Sequence, residues 1–268
     1  MRRRALAFLK RDALHQLSYR TALVLELTAI VFIATIFFFL ARVVDPSASP
    51  VFARYGAGGY FAFALTGIAL SNYLSLSLHG FSEQIRQGQV SGNLEALFLT
   101  PARTWEIVTW GSLWSFVFQS VRIAVYLAVG ACYGLSFQSA NWPAALLVLG
   151  LSILALAPLG VLAAAFILVW KRGDPISYFM TSLSTLLGGV YYPIEVLPDW
   201  LQKLTQLLPL THAVEAFRAS VLEGASAPLL GRSLLALALF AVLLGPPSLF
   251  AFSRAVAWAK RNGALGQL

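Results

Sequence analysis

Two side chains of opposite charge, Glu26 and Arg122, sit inside otherwise apolar runs of this 268-residue sequence. A charge held inside a membrane faces a cavity or a partner, not hydrocarbon. Glu26 lies about 8–9 Å along its run at 1.5 Å per residue, within reach of a basic neighbour such as Arg20 or Arg103. Arg122 lies about 22 Å along its own run, in the outer half of a bilayer core, where Glu195 or Glu215 offers a carboxylate. Lining a polar passage and forming a structural ion pair both suit such residues. Other chemistry lacks its parts. The sequence has no G-x-x-x-x-G-K-[ST] run and no Gly-Lys pair, so a P-loop is absent. His15, His79 and His212 are far apart, and no H-E-x-x-H or G-x-S-x-G occurs. Cys132 is the sole cysteine, which excludes an internal disulfide.

The elements that hold these residues follow from composition. The chain is 59% hydrophobic and 11% charged, with a mean hydropathy of +0.75. Soluble domains carry about 25% charged residues, so lipid is the solvent that fits. About 20 apolar residues cross about 30 Å of hydrocarbon as a helix. Six stretches qualify, at 21–41, 59–79, 107–135, 143–170, 176–192 and 233–256. The net charge of +8 comes from basic clusters beside these runs, a placement that signals topology and not nucleic-acid binding. One set of flanks holds thirteen basic residues: Arg2, Arg3, Arg4, Lys10, Arg11, Arg20, Arg86, Arg103, Lys171, Arg172, Arg254, Lys260 and Arg261. The opposite set holds five: Arg42, Arg54, Lys203, Arg218 and Arg232. The positive-inside rule then places both termini in the cytoplasm, which an even number of spans requires.

Three segments outside the spans carry further information. The basic lead-in, residues 1–20, places Leu6 and Leu9 at helical spacing, with Arg4 and Arg11 mostly elsewhere on the wheel. It reads as an interfacial amphipathic helix. The loop after the second run mixes Glu83, Arg86, Glu95 and Arg103 with Leu94, Leu97 and Phe98. Asn93 suits a helix N-cap, Pro101 stops the helix, and Gly88 permits a bend. A short helix with one apolar side needs a lipid surface or a protein to cover it. The stretch 193–231 reads as two short external helices. Pro198 starts the first, with Trp200, Leu201, Leu204, Leu207 and Leu208 on one face, and Pro209 breaks it. The second carries Val214, Phe217 and Val221 on a stripe, with Glu215 and Arg218 near its edge. Each is too short to cross, so both are expected to dip into the outer leaflet and return, as a lid over a passage. A surface-lying hairpin is the other reading. The tail is residues 257–268.

Both loops carry a resemblance. The run Gly92-Asn93-Leu94-Glu95-Ala96-Leu97-Phe98-Leu99-Thr100-Pro101 is similar to G-x-L-E-x-L-x-x-T-P. Pro193, Glu195, Leu197, Pro198 and Trp200, followed by Pro209, Leu210, Thr211, His212, Glu215 and Arg218, match P-x-E-x-L-P-x-W…P-L-T-H-x-x-E-x-x-R. The whole chain resembles the permease subunit of type-2 ATP-binding-cassette exporters of drugs, natural products or polysaccharides. The resemblance implies an all-α membrane protein with six transmembrane helices, in the bacterial cytoplasmic (inner) membrane. It implies a coupling helix seated on a separate cytoplasmic ATPase that carries ATP and Mg, with Glu83, Arg86, Asn93, Leu94, Glu95, Leu97, Phe98 and Arg103 at that contact. It also implies a second permease copy and an external gate built by Pro193, Glu195, Pro198, Trp200, Pro209, His212, Glu215 and Arg218. The substrate would be an amphipathic or lipid-linked molecule. Two other classes stand beside it: a stand-alone secondary carrier, with only Glu26 and Arg122 for ion coupling, and a membrane-embedded enzyme, for which no catalytic constellation exists.

Overall fold

A computed structural model describes residues 20–44, 50–55, 58–90, 104–170 and 175–262. Every regular element among them is helical. The order is α1 (Arg20–Val43), a single turn at Pro50–Ala53, α2 (Gly59–Val90), α3 (Thr104–Cys132), α4 (Trp142–Trp170), α5 (Pro175–Leu187), a 3₁₀ turn at Ile194–Val196, α6 (Asp199–Thr205), α7 (Pro209–Leu222) and α8 (Gly231–Arg261). Helices α1, α2, α3, α4 and α8 each hold a stretch long and apolar enough to span a bilayer.

The expected fifth span, 176–192, takes another form. Helix α5 has 13 residues, about 20 Å of rise, and then gives way to a non-helical stretch from Gly188 to Pro193. A helix of that length does not cross 30 Å by itself. The stretch that follows is buried at Gly188, Gly189, Val190 and Pro193. Non-helical backbone at membrane depth survives only where protein shields it.

Helix α2 is the hub, packing against α1, α3, α4, α5 and α7. Of its spanning stretch 83% is buried, against 11% for α1 and for α8, so those two leave most of their surface to lipid. Val24, Leu25 and Phe32 on α1 and Leu235 and Val242 on α8 are over 60% exposed, which only an apolar solvent tolerates. Lipid tails are as apolar as the side chains, so close contact between helices, not burial from water, holds such a bundle. The α2–α4 contact shows it: a Cβ on Gly160 would stand 1.7 Å from the Ser77 carbonyl oxygen. Helix α4 begins with Asn141 Oδ1 accepting from the Ala144 N–H (3.2 Å), an N-cap. The Asn141 N–H in turn donates to the Ser220 carbonyl (2.9 Å), tying the α3–α4 connection to the end of α7.

Helix α2 does not bend at Gly88 but runs on to Val90, about 14 Å past Phe81. Glu83 and Arg86 therefore ride on an extension of the second span. The interfacial residues Arg4, Leu6, Leu9 and Arg11, and the loop residues Asn93, Leu94, Glu95, Leu97, Phe98 and Arg103, lie outside the described residues.

Candidate functional site

The two intramembrane charges meet each other. Arg122 Nη2 forms an ion pair with Glu26 Oε2, and among the described residues Arg122 on α3 joins neither Glu195 nor Glu215 and Glu26 on α1 does not join Arg20, while Arg103 lies outside them. Depths counted from the start of two different runs placed them apart. Measured instead to the outer helix ends, Arg122 lies about 15 Å from Cys132 and Glu26 about 26 Å from Val43. Two long side chains close that gap. Arg122 also donates through Nη1 to Gln119 Oε1 (3.4 Å), and its guanidinium lies 5.0 Å from the Phe118 ring centroid.

The pair forms part of the wall of a cavity of about 490 Å³ between α1, α2 and α3. Asn72, which donates to Tyr126 Oη (3.4 Å), lines it, as do Tyr126, His79 and Gln119. Gln119 is 2% exposed, and its Nε2 has no hydrogen-bond partner among the described residues. A buried amide donor left open costs about 1–3 kcal/mol unless a guest or water meets it. The sequence held a signal for this cluster. Glu26 and Arg122 are the only charges away from the ends of the expected spans, Arg254 lying two residues from the end of 233–256, and opposite charges in a membrane pair.

The end of the bundle where α2 starts is built around Arg218. The sequence pattern set this residue near the edge of the α7 stripe, yet it is 6% exposed, as buried as the stripe residues Val214, Phe217 and Val221 around it. Its position four residues after Val214 already put it on that face. Arg218 Nε and Nη2 donate to the Phe63 carbonyl (3.1 and 2.8 Å), and Nη2 also donates to the Val190 carbonyl (3.1 Å). Nε lies 3.4 Å from Thr66 Oγ1, and the guanidinium sits 3.4 Å above the Phe63 ring centroid. The Val190 carbonyl belongs to the break after α5 and has no helical partner, so Arg218 supplies the donor that a continuous helix would have given. Charge-assisted hydrogen bonds and a desolvated cation–π contact, each about 2 kcal/mol, offset the cost of burying the cation. That cost still shows. Burial lowers the Arg218 pKa to about 9, against the opposing pull of Tyr55, Glu195 and Glu215.

Arg218 opens onto a cup of about 350 Å³, which brings together Pro193, Glu195, His212 and Glu215 from the expected gate. Pro198, Trp200 and Pro209 are not in its wall. Pro198 caps α6, Pro209 opens α7, and Trp200 is 64% exposed, with Leu204 on α6 and Leu207 in the turn after it exposed as well. The two short helices thus differ. Helix α6 has only seven residues and an exposed apolar face, whereas α7 is packed among α2, α4 and α8. His212 Nε2 donates to the Gln206 carbonyl (2.9 Å). Its Nδ1, and Thr211 Oγ1 of the preceding residue, are buried without a hydrogen-bond partner among the described residues. Burial also raises the pKa of Tyr55 at the cup, with Arg218 acting the other way.

A bundle of apolar helices with a short helix buried among them and an α2 that runs on past its apolar stretch agrees with the sequence resemblance. The ABC-2 type transporter family model matches residues 4–222. The chain belongs to the ABC-2 type transporter family. The Glu26–Arg122 pair and all of the cup's wall except Glu223 and Arg232 fall inside the ABC-2 match, while α8 lies beyond it. Three relatives are named as follows. The inner membrane transport permease YadH of Escherichia coli K12 is 22% identical over 170 residues, covering 63% of this chain and 66% of YadH. Nodulation protein J of Sinorhizobium fredii is 27% identical over 204 residues, covering 69% and 75%. The probable multidrug ABC transporter permease YbhR of Escherichia coli K12 is 25% identical over 195 residues, covering 72% and 50%. The chain thus spans about two thirds of YadH and half of YbhR. These ABC-2 relatives include proteins named as permeases, and this chain is an integral membrane protein with several apolar helices.

Proposed function

We propose that this chain is the permease subunit of an ATP-driven exporter, moving an amphipathic or lipid-linked small molecule or glycan out of the cytoplasm or the inner leaflet. The observation that carries this reading is the ABC-2 family match over residues 4–222. In this reading a cytoplasmic ABC ATPase holds ATP and Mg, and it bears on the arm of α2 that carries Glu83 and Arg86 and on the following loop. Two permease copies enclose the pathway. Helix α5 and the buried stretch after it make a sixth crossing, so that both termini lie in the cytoplasm of a bacterial inner membrane. Helices α6 and α7 form the external gate, and the Glu26–Arg122 cavity lies along the route. The ion pair weighs against a stand-alone secondary carrier, which needs an ionisable group free to load and release an ion. Here the two charges neutralise each other.

Affinity purification of the tagged chain in mild detergent tests this. It should recover an ATPase subunit, and vesicles reconstituted with both should export only with ATP. Export by the chain alone would overturn the reading.

A further inference from the structure

The cup has a polarity that neither folding nor gating requires. Its inner end holds Arg218, a buried cation with no carboxylate oxygen within 4.0 Å among the described residues. Backbone carbonyls and an aromatic face hold the guanidinium through Nε and Nη2, but Nη1 is committed to neither carbonyl. Thr211 and His212 line the same cup from the first turn of α7, the positive end of a 14-residue helix. They are 3% and 8% exposed, and Thr211 Oγ1 and His212 Nδ1 have no hydrogen-bond partner among the described residues. The mouth has the opposite bias. Glu195, Glu215 and Glu223 are all exposed there, against Arg54 and Arg232.

We propose that this cup binds a zwitterionic group carrying one anion and one primary ammonium, of the phosphoethanolamine type. The anionic oxygens accept from Arg218 Nη1 and the Thr211 hydroxyl. The ammonium donates to the carboxylates at the mouth. A group with only an anion would leave the three glutamates facing it, and one with only a cation would face Arg218. A quaternary ammonium has no N–H to give these acceptors. Val196, Trp200 and Leu207, each over 60% exposed beside the cup, set its mouth against lipid, so a membrane lipid headgroup and a soluble zwitterion can both supply this chemistry. The assignment concerns binding alone and does not depend on export.

The full-length chain in detergent is offered phosphatidylethanolamine, phosphatidylcholine or phosphatidylglycerol singly, and retained lipid is read by native mass spectrometry. Retention of phosphatidylethanolamine is expected to exceed that of the other two by about fivefold or more. Thr211→Val and Glu215→Gln are each expected to abolish that preference. Thr211→Val removes an unpartnered hydroxyl without changing shape, and Glu215 is exposed, so both should elute as the parent does. Displacement by glycerophosphoethanolamine identifies a soluble zwitterion as a sufficient ligand, and failure to displace identifies the lipid. Equal retention of all three lipids, or a preference that survives both substitutions, overturns the proposal.

Discussion

Gly67 lies where any side chain would strike Arg218: a Cβ there would stand 2.5 Å from Arg218 Nη2. The same Cβ would stand 2.5 Å from the Val190 carbonyl oxygen that Arg218 caps. A glycine on α2 therefore lets a guanidinium from α7 and the broken end of α5 meet at one point. Gly67→Ala should displace all three and lower stability by about 1–3 kcal/mol, the usual cost of overpacking a core. Gly150 on α4 is the control, since nothing lies within 4 Å of a Cβ there. Gly150→Ala should be neutral or gain a few tenths of a kcal/mol from helix propensity. Thermal unfolding of both variants in the same detergent decides it, and equal melting temperatures would remove the steric argument.

Arg218 also sets a pH dependence. Its pKa falls to about 9 in the folded chain from an ordinary 12.5, so between these values the unfolded chain binds the extra proton. Stability therefore rises with pH across that window. Tyr55 acts in the opposite sense, because burial raises its pKa above 10, so it removes stability as the pH passes 10. The Arg218 effect is cleanest between pH 8 and 10, where it amounts to about 1 kcal/mol. Denaturant midpoints of the parent should rise over that range relative to Arg218→Gln. A parallel trend in both proteins would show that Arg218 is not the titrating group.

Much of this was legible in the sequence, for reasons that also explain the gaps. Five apolar runs became spanning helices because length and hydropathy suffice to mark them. The 176–192 run had the composition of a span but not its continuity: hydropathy does not show that a helix stops at Leu187 when another segment, here Arg218, caps the freed carbonyl. The motif residues Pro193, Glu195, His212, Glu215 and Arg218 did converge on one cup. The burial of Arg218 was missed because an arginine is expected to face out. The partnership of Glu26 and Arg122 was missed because depth along a run says nothing of how two helices are offset.

The arm of α2 beyond Phe81 makes a separate prediction. If the helix carries force from an ATPase to the hub, its rigidity matters. Gly88 is the weak point of the helix, since glycine costs about 1 kcal/mol against alanine in a helix interior. Gly88→Ala should leave coupling intact or improve it, and Gly88→Pro should break the helix. Substrate-stimulated ATP hydrolysis in vesicles reads the difference. Coupling that survives Gly88→Pro in a well-assembled complex would show that the arm does not transmit force.

The Glu26–Arg122 pair separates a structural from a pathway role by charge exchange. Removing one partner leaves an unpaired charge at membrane depth, so Glu26→Gln or Arg122→Gln alone should lower stability. The loss should stay near 1–2 kcal/mol, below the 3–5 kcal/mol of a fully buried pair, because the side chains are 41% and 28% exposed to the cavity. The double substitution Glu26→Gln with Arg122→Gln restores neutrality and should recover most of that loss, giving a coupling energy of about 1 kcal/mol in the cycle. Export is the second readout. If the charges only hold α1 to α3, transport should recover with stability in the double variant. A pathway that uses them to meet a polar group should stay impaired, since Gln119 Nε2 and the cavity then lack the charges beside them. We expect stability to return and transport to remain low; joint recovery of both would assign the pair to structure alone.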